Sequence, residues 1–130
     1  MEILDVSLGP NSYKIRVTRS GDDWTAALVP FLQGKTPVVL TNPKVRRLCG
    51  PDLQKSLGRH NIRLRFLTLP DGERYKTLAT VEKTYRSLVK LGADRSTPAL
   101  LLGGGIVGDL GGFVTATFLR GYQNTQCVLV

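Results

Sequence analysis

The chain has 130 residues, of which 42% are hydrophobic and 22% are charged, and its formal net charge is +8. This composition is ordinary for one globular domain and excludes an intrinsically disordered or collagen-like chain. Apolar runs such as Ala99–Leu102 are far shorter than the roughly 20 residues of a membrane-spanning helix. We therefore expect no membrane partner.

The N-terminus and the two cysteines bear on localisation. The chain starts Met1-Glu2-Ile3, with no basic stretch followed by an apolar one, so no secretory signal is expected. Cys49 and Cys127 lie far apart and match no metal-binding spacing. We interpret both as free thiols in a reducing compartment, and the cytoplasm is the expected location.

Much of the positive charge falls in one segment. Seven Lys and Arg residues lie between Lys44 and Arg65, where Asp52 is the only acidic residue. Such a segment is found on nucleic-acid surfaces, but also on solvated helix faces and around anionic ligands. Phe66 is the only aromatic residue beside these cations, whereas single-strand binders supply several stacking platforms. We therefore expect no nucleic-acid partner.

The first half of the chain predicts a hairpin followed by strand–helix units. Tyr13 to Val17 alternates apolar and polar residues, which indicates a strand or hairpin at the sheet edge, and a helix follows over 24–32. Val38–Thr41 is an apolar, β-branched run that predicts a buried strand. Asn42 and Pro43 then supply a helix cap and first helical residue. Gly50-Pro51 is expected to break or restart that helix, whose apolar positions are Val45, Leu48, Cys49 and Leu53.

The second half continues the alternation. Apolar residues at every second position over 62–66 predict a strand, and Pro70-Asp71-Gly72 predicts a turn. A helix capped by Gly92 is predicted from Leu78, Val81, Tyr85, Leu88 and Val89. Ala99–Leu102 predicts a third strand. A helix from about Gly108 to Leu119 should carry inward Leu110, Phe113, Val114 and Thr117, and Cys127–Val130 is a last apolar run. Alternating strands and helices predict an α/β fold with a parallel sheet.

A glycine motif follows the third strand. Gly103, Gly105 and Gly108 match G-x-G-x-x-G between a predicted strand and helix, where backbone amides and the helix N-terminus favour a pyrophosphate. The motif lies late in the domain, and no acidic residue stands about twenty positions downstream to bind a ribose. A tight turn that only permits close helix–strand packing is an equally good interpretation.

Several charged residues lie near these elements. Asp71, Glu73 and Lys76 cluster at a turn, where they would suit ribose hydroxyls or simply begin a helix. Asp109 directly follows the glycine motif, and a carboxylate beside a phosphate site is unexpected unless it serves another group. Arg120 is placed to stabilise a helix C-terminus. His60, the only histidine, is assigned no role because a zinc site takes at least three protein ligands.

Three segments in order resemble the 3-dehydroquinate synthase family: PDGERYKT at 70–77, LGGGIVGD at 102–109 and FVTATFLRG at 113–121. The resemblance covers residues 37 to 121 strongly and the first 36 in general layout. It implies a Rossmann-like, mostly parallel sheet flanked by helices, truncated before a helical C-terminal domain. The family converts the sugar-acid phosphate DAHP into 3-dehydroquinate in the shikimate pathway. It uses NAD and a divalent metal, zinc or cobalt, and is usually a homodimer.

The resemblance also implies roles for individual residues. Asn42 would lie near the adenine, Glu73 and Lys76 would hold the adenosine ribose, and Asp71 and Gly72 would shape that turn. Arg120 would reach the substrate phosphate across a dimer interface. The pyrophosphate and nicotinamide side would be lined by Gly104, Gly105, Ile106, Val107, Gly108 and Asp109. The family's catalytic and metal-ligating residues belong to the C-terminal domain, so none is assigned in this chain.

The last residues depart from the family pattern. Val128, Leu129 and Val130 stand where the family has Pro-Thr-Thr or Pro-Thr-Ser. We expect edge strands and a first helix over 1–36, family-matching units over 37–121, and a divergent tail over 122–130. The abrupt start of the divergence after Gly121 suggests a frameshift or a spliced end. Two alternatives stay open, namely another sugar phosphate cyclase and a non-catalytic nucleotide-binding module.

Overall fold

The computed structural model describes residues 2–19 and 21–118, which form two sheets and four helices. The first sheet is an antiparallel hairpin of β1 (Glu2–Val6) and β2 (Tyr13–Val17). The second has the order β4-β3-β5 and contains the parallel strands β3 (Val38–Thr41), β4 (Arg65–Thr68) and β5 (Ala99–Leu102). The helices are α1 (Gly21–Leu32), α2 (Pro43–Gly58), α3 (Leu78–Lys90) and α4 (Gly105–Thr117).

The parallel sheet is covered on both faces, which confirms the predicted α/β class. Every residue of β3 and β5 is buried, as expected of strands packed on two sides. Side chains alternate between the faces, so Leu40 and Leu101 pack with α3 and α4, while Val39 and Leu100 pack with α1 and α2. The two βα connections from β3 and β5 therefore leave toward opposite faces.

The hairpin forms a sheet of its own. The structure confirms the hairpin but not its position at the sheet edge, because β1 and β2 pair with each other and not with β4 or β5. Leu4 faces Ile15 across the pair, and both side chains are more than 40% exposed. The alternation that predicted the strand was correct, but it carried no information about which strand would be its neighbour.

The predicted break in α2 is wrong. The helix runs from Pro43 through Pro51 to Gly58, with Leu53 and Leu57 almost fully buried beyond the proline. An interior proline costs about 3 kcal/mol. Burying two leucines returns about 1.5–3 kcal/mol each, which is enough to keep the helix continuous. Gly50 lies in the same turn, where a Cβ would contact the Phe66 ring at 3.5 Å.

The two later helices differ in phase from the prediction. In α3, Val81 and Leu88 are buried as expected, but Leu78 and Val89 are 75% and 64% exposed, and Thr80 and Thr84 point inward instead. Helix α4 begins at Gly105 and ends at Thr117, and Phe113 and Thr117 are exposed. Its buried face is formed by Val107, Leu110, Gly111, Val114 and Thr115. The small residues on that face let α4 lie close to the sheet.

Other boundaries were predicted with different accuracy. The strand predicted over 62–66 is observed as β4 over Arg65–Thr68, so it starts three residues later than predicted, after a turn in which Asn61 has a φ of 60°. The end of α3 was predicted more closely, because Gly92, with a φ of 74°, directly follows the C-cap Leu91. Among the described residues, no helix is both long and apolar enough to cross a membrane. Leu119, Arg120 and the run Cys127–Val130 lie outside the described residues.

Candidate functional site

The candidate site lies at the carboxyl edge of the parallel sheet. Strands β3 and β5 are neighbours, and their register pairs Thr41 with Leu102. The buried Thr41 hydroxyl donates to the Leu102 carbonyl oxygen at 2.7 Å and fixes the two strand ends side by side. The following helices, α2 and α4, pack on opposite faces of the sheet. A crevice between such diverging connections is where open α/β sheets bind ligands.

The glycine loop, Gly103 to Gly105, joins β5 to α4 and lies on the α4 side of this crevice. Gly104 is the N-cap of α4, and none of the described side chains caps the helix. The amides of Gly105, Ile106 and Val107 have no acceptor within the helix, and the first intrahelical bond runs from the Gly108 amide to the Gly104 oxygen at 3.0 Å. Free amides and the positive end of the helix dipole make this loop suitable for an anion.

The glycines in and after this loop divide into two kinds. A Cβ on Gly103 would lie 2.6 Å from Val107 Cγ2, and a Cβ on Gly111 would lie 2.7 Å from Leu101 Cδ2, so packing requires glycine at both. A Cβ on Gly104 or Gly105 would meet no described atom within 4 Å, and neither has a positive φ. Internal packing therefore explains Gly103 but leaves Gly104 and Gly105 unexplained. Sequence reasoning missed Gly111, although its phase with Val107 places it on the inner face.

The loop after β4 approaches the same edge. Gly72 has φ 120° and ψ 146°, a conformation that is practically restricted to glycine, and it leads into a 3₁₀ turn over Glu73–Tyr75. Lys76 follows, and its ammonium lies 2.8 Å from Asp109 Oδ2 and 3.4 Å from Glu73 Oε2. The hydrogen bond to Asp109, reinforced by the charges of Asp109 and Glu73, raises the pKa of Lys76. The structure thus brings together three predicted site residues, two from the loop after β4 and one from the first turns of α4.

Asn42 occupies the β3 side of the edge as the N-cap of α2. Its Oδ1 accepts from the Val45 amide at 2.8 Å, and its amide NH₂ is a donor that a ligand could use. Arg46, one turn further on, donates to Thr68 Oγ1 at 3.2 Å and lies 5.0 Å from the Phe66 ring centroid. Sequence reasoning assigned Arg46 no role beyond general positive charge, because its contact with β4 depends on the tertiary structure.

Other singled-out residues lie apart from this edge. His60 lines an open cleft of about 350 Å³ between α1 and α2, at the opposite end of α2. Arg65 donates to the Leu91 and Thr36 carbonyl oxygens, so part of the basic segment serves internal contacts. Among the described residues, no three His, Cys, Asp or Glu side chains converge in a metal-binding group. Asp71 is exposed, and Arg120 lies outside the described residues.

Solved structures share this architecture. The crystal structure of 2-deoxy-scyllo-inosose synthase aligns with a TM-score of 0.81 and 19% identity, covering 99% of this chain and 35% of that one. A 2-epi-5-epi-valiolone synthase from Streptomyces hygroscopicus, solved with NAD⁺ and Zn²⁺ bound, aligns with a TM-score of 0.68 and 25% identity over 79% of this chain and 28% of that one. The chain therefore has the fold of the N-terminal domains of sugar phosphate cyclases.

Comparisons of sequence are more specific. The family profile of the 3-dehydroquinate synthase N-terminal domain matches residues 66–128. The 3-dehydroquinate synthases of Nitrosomonas europaea and Dehalococcoides mccartyi are 37% and 39% identical over 95% and 93% of this chain. The chain spans about a third of the length of these relatives, 33% and 34% respectively. It belongs to the 3-dehydroquinate synthase family and corresponds to its N-terminal part.

Proposed function

We propose that this chain is the NAD-binding domain of a 3-dehydroquinate synthase. The observation that carries the proposal is the open loop at Gly104 and Gly105, where neither backbone conformation nor packing among the described residues requires glycine. A pyrophosphate that approaches the backbone closely does require it. The loop stands at the crevice between β3 and β5, directly before the free amides of α4.

The residues around the crevice fit such a ligand. The amides of Gly105, Ile106 and Val107 would hold the pyrophosphate, and Gly108 follows them in the first turn of α4. Val107 would act through its backbone alone, because its side chain is only 2% exposed and packs in the core. Glu73 and Lys76 would hold the ribose hydroxyls from the β4 side, and Asn42 would offer its amide to the adenine end. Glu73 thus supplies the acidic group that the sequence lacks downstream of the motif.

The activity that we propose for the whole protein is the activity of its family. It would convert DAHP into 3-dehydroquinate with elimination of phosphate, as a homodimer in the cytoplasm. The chemistry that NAD supplies in the family is a transient oxidation of the substrate. Zinc or cobalt would be held outside the described residues, and Arg120 would contact the substrate phosphate. A different sugar phosphate cyclase is the second candidate, because the fold comparisons match such enzymes as well.

Calorimetric titration of NAD⁺ tests the proposed domain function. Gly105→Val should weaken binding by at least about tenfold, because the side chain would fill the space that the pyrophosphate needs. Gly58→Val is the matched control, since its Cβ also enters open space but at the far end of α2. Equal, measurable affinity of the wild type and Gly105→Val would contradict the proposal.

The same titration with a short DNA duplex separates this function from nucleic-acid binding. Duplex binding through phosphates should fall steeply as salt rises from 50 to 200 mM. We expect the NAD⁺ affinity to change far less over that range, because only a few charges are involved. A duplex affinity above that for NAD⁺ at the higher salt would favour the nucleic-acid alternative.

A further inference from the structure

Arg46 stands between the two segments that are proposed to hold the adenosine. It lies one turn after Asn42 on α2, and its Nη1 donates to the Thr68 hydroxyl at 3.2 Å. Thr68 is the last residue of β4, the strand that leads into the loop of Glu73. The guanidinium therefore lies at the carboxyl edge of the sheet, beside the place proposed for the ribose.

Neighbouring groups hold the Arg46 side chain in this place. The guanidinium carbon lies 5.0 Å from the centroid of the Phe66 ring, and the Thr68 hydroxyl accepts a hydrogen bond from Nη1. Gly50 leaves room for the aliphatic stem, since a Cβ there would lie 3.5 Å from Arg46 Cγ. A guanidinium that is already held in position loses less conformational freedom when a ligand binds, which favours affinity.

These contacts leave much of the hydrogen-bonding capacity of Arg46 unused. A guanidinium carries several N–H donors, and among the described residues only Thr68 accepts from this one. No carboxylate of the described residues forms an ion pair with Arg46, and the first turn of α2 contains no acidic residue. Lys44 and Arg47, on the same end of α2, are exposed and add positive charge. The α2 side of the proposed ribose site is thus a cationic surface without a neutralising partner among the described residues.

Dinucleotide sites of α/β domains place one of two residue types at the adenosine ribose. A carboxylate accepts a hydrogen bond from the 2′-hydroxyl of NAD, whereas an arginine accommodates the 2′-phosphate of NADP. Glu73 is proposed for the first role, and Arg46 has the chemistry of the second. The planar fork of a guanidinium matches a phosphate, with which it can form two parallel hydrogen bonds.

We propose that Arg46 lets this domain bind NADP⁺ as well as NAD⁺, because its guanidinium receives a phosphate on the 2′-oxygen of the adenosine ribose. This inference rests on the proposed NAD-binding function and adds a second form of the dinucleotide, with Arg46 as the residue that decides its acceptance. If Arg46 only ties α2 to β4, it would stabilise the domain without distinguishing the two dinucleotides.

Calorimetric titration of NAD⁺ and NADP⁺ at low salt tests the proposal. The wild type should bind both with comparable affinity. Arg46→Met keeps an aliphatic stem and removes the guanidinium, so it should lower the affinity for NADP⁺ relative to that for NAD⁺ by about tenfold, as is typical of a charged hydrogen bond. Arg47→Met is the matched control, because it removes the same charge from an exposed neighbour and should leave the ratio of the two affinities unchanged. Both side chains are exposed, so both variants should fold.

The ratio of the two affinities separates the outcomes. Binding of NAD⁺ without binding of NADP⁺ by the wild type would overturn the inference and leave the proposed function intact. An equal loss of both affinities in Arg46→Met would overturn it too, because that is the result expected of a purely structural contact. If the chain binds neither dinucleotide, the proposed function fails and this inference fails with it.

A second measurement follows the guanidinium itself. In NMR spectra of the wild type, the Nε–H signal of Arg46 should shift when NADP⁺ is added and much less when NAD⁺ is added at the same concentration. Inorganic phosphate should leave the signal in place, because no adenosine delivers it to the guanidinium. A signal that responds equally to both dinucleotides, or to inorganic phosphate alone, would contradict recognition of the 2′-phosphate.

Discussion

The hydroxyl of Thr41 donates to the Leu102 carbonyl oxygen at 2.7 Å, and the bond is buried at the point where β3 and β5 end. Asn42 and Gly103 are the next residues along each strand. This bond adds a buried side-chain contact to the backbone pairing that holds the two walls of the proposed site together.

Replacement of Thr41 by valine should destabilise the domain by about 1–3 kcal/mol, because a buried carbonyl loses its donor without any change of side-chain shape. Urea unfolding measures the loss. Thr41→Ser keeps the hydroxyl and removes one methyl, which should cost only about 0.8 kcal/mol. A valine variant as stable as the wild type would show that the bond contributes nothing.

Alanine substitutions at two neighbouring glycines of α4 should change the stability of the domain in opposite directions. Gly111→Ala places a Cβ 2.7 Å from Leu101 Cδ2 in the core and should cost about 1–3 kcal/mol. Gly112→Ala meets no described atom within 4 Å and should gain about 0.5–1 kcal/mol through the helix preference of alanine. Thermal melting of both variants checks the contrast. Equal effects would mean that α4 packs differently on β5.

Asn42 should contribute to stability independently of any ligand. Its Oδ1 caps α2 through the Val45 amide, so Asn42→Ala should lose about 1 kcal/mol of unfolding free energy. Asn42→Asp is the matched variant, because a carboxylate caps equally well. If NAD⁺ affinity falls in Asn42→Asp while stability is kept, the amide NH₂ has the ligand role that we propose.

Asp94 should make stability depend on acid pH. Its Oδ1 accepts from the amide and hydroxyl of Ser96 at 2.8 and 2.6 Å and from the Thr97 hydroxyl at 3.2 Å, in the turn before β5. These hydrogen bonds, those from Ser96 first, lower the pKa of Asp94 below its ordinary value of 3.8. The folded state therefore releases this proton more readily than the unfolded state.

The sign of the effect follows from that difference. The stabilisation is complete above pH 3.8 and disappears as the pH falls through the lowered pKa of the folded state. Asp94→Asn should thus unfold at lower urea concentration than the wild type at pH 7, and the two midpoints should converge in strong acid. Ser96→Ala removes the hydroxyl donor and keeps the backbone donor, so its urea midpoint at pH 7 should lie between those of the wild type and Asp94→Asn. If the difference between the two urea midpoints stayed the same at acid pH, the ionised Asp94 carboxylate would not be its cause.

Local patterns in the sequence determined the elements of the domain. The apolar runs of β3 and β5, the cap at Asn42 and the stop at Gly92 each depend on a few adjacent residues, and all lie where they were predicted. The family resemblance likewise depends on contiguous motifs. Since those signals are short-range, they can be recognised without knowing what packs against them.

The tertiary structure decided everything that depends on distant neighbours. Burial of Leu53 and Leu57 outweighs the break signal at Gly50-Pro51, and the contact with β5 determines which α4 residues face inward. The same applies to the glycines, since only the positions of Val107 and Leu101 separate Gly103 and Gly111 from the open Gly104 and Gly105. Asp109 is the clearest case. The sequence made its carboxylate an anomaly beside a phosphate loop, and folding brings the Lys76 ammonium to it because parallel strands end at one edge.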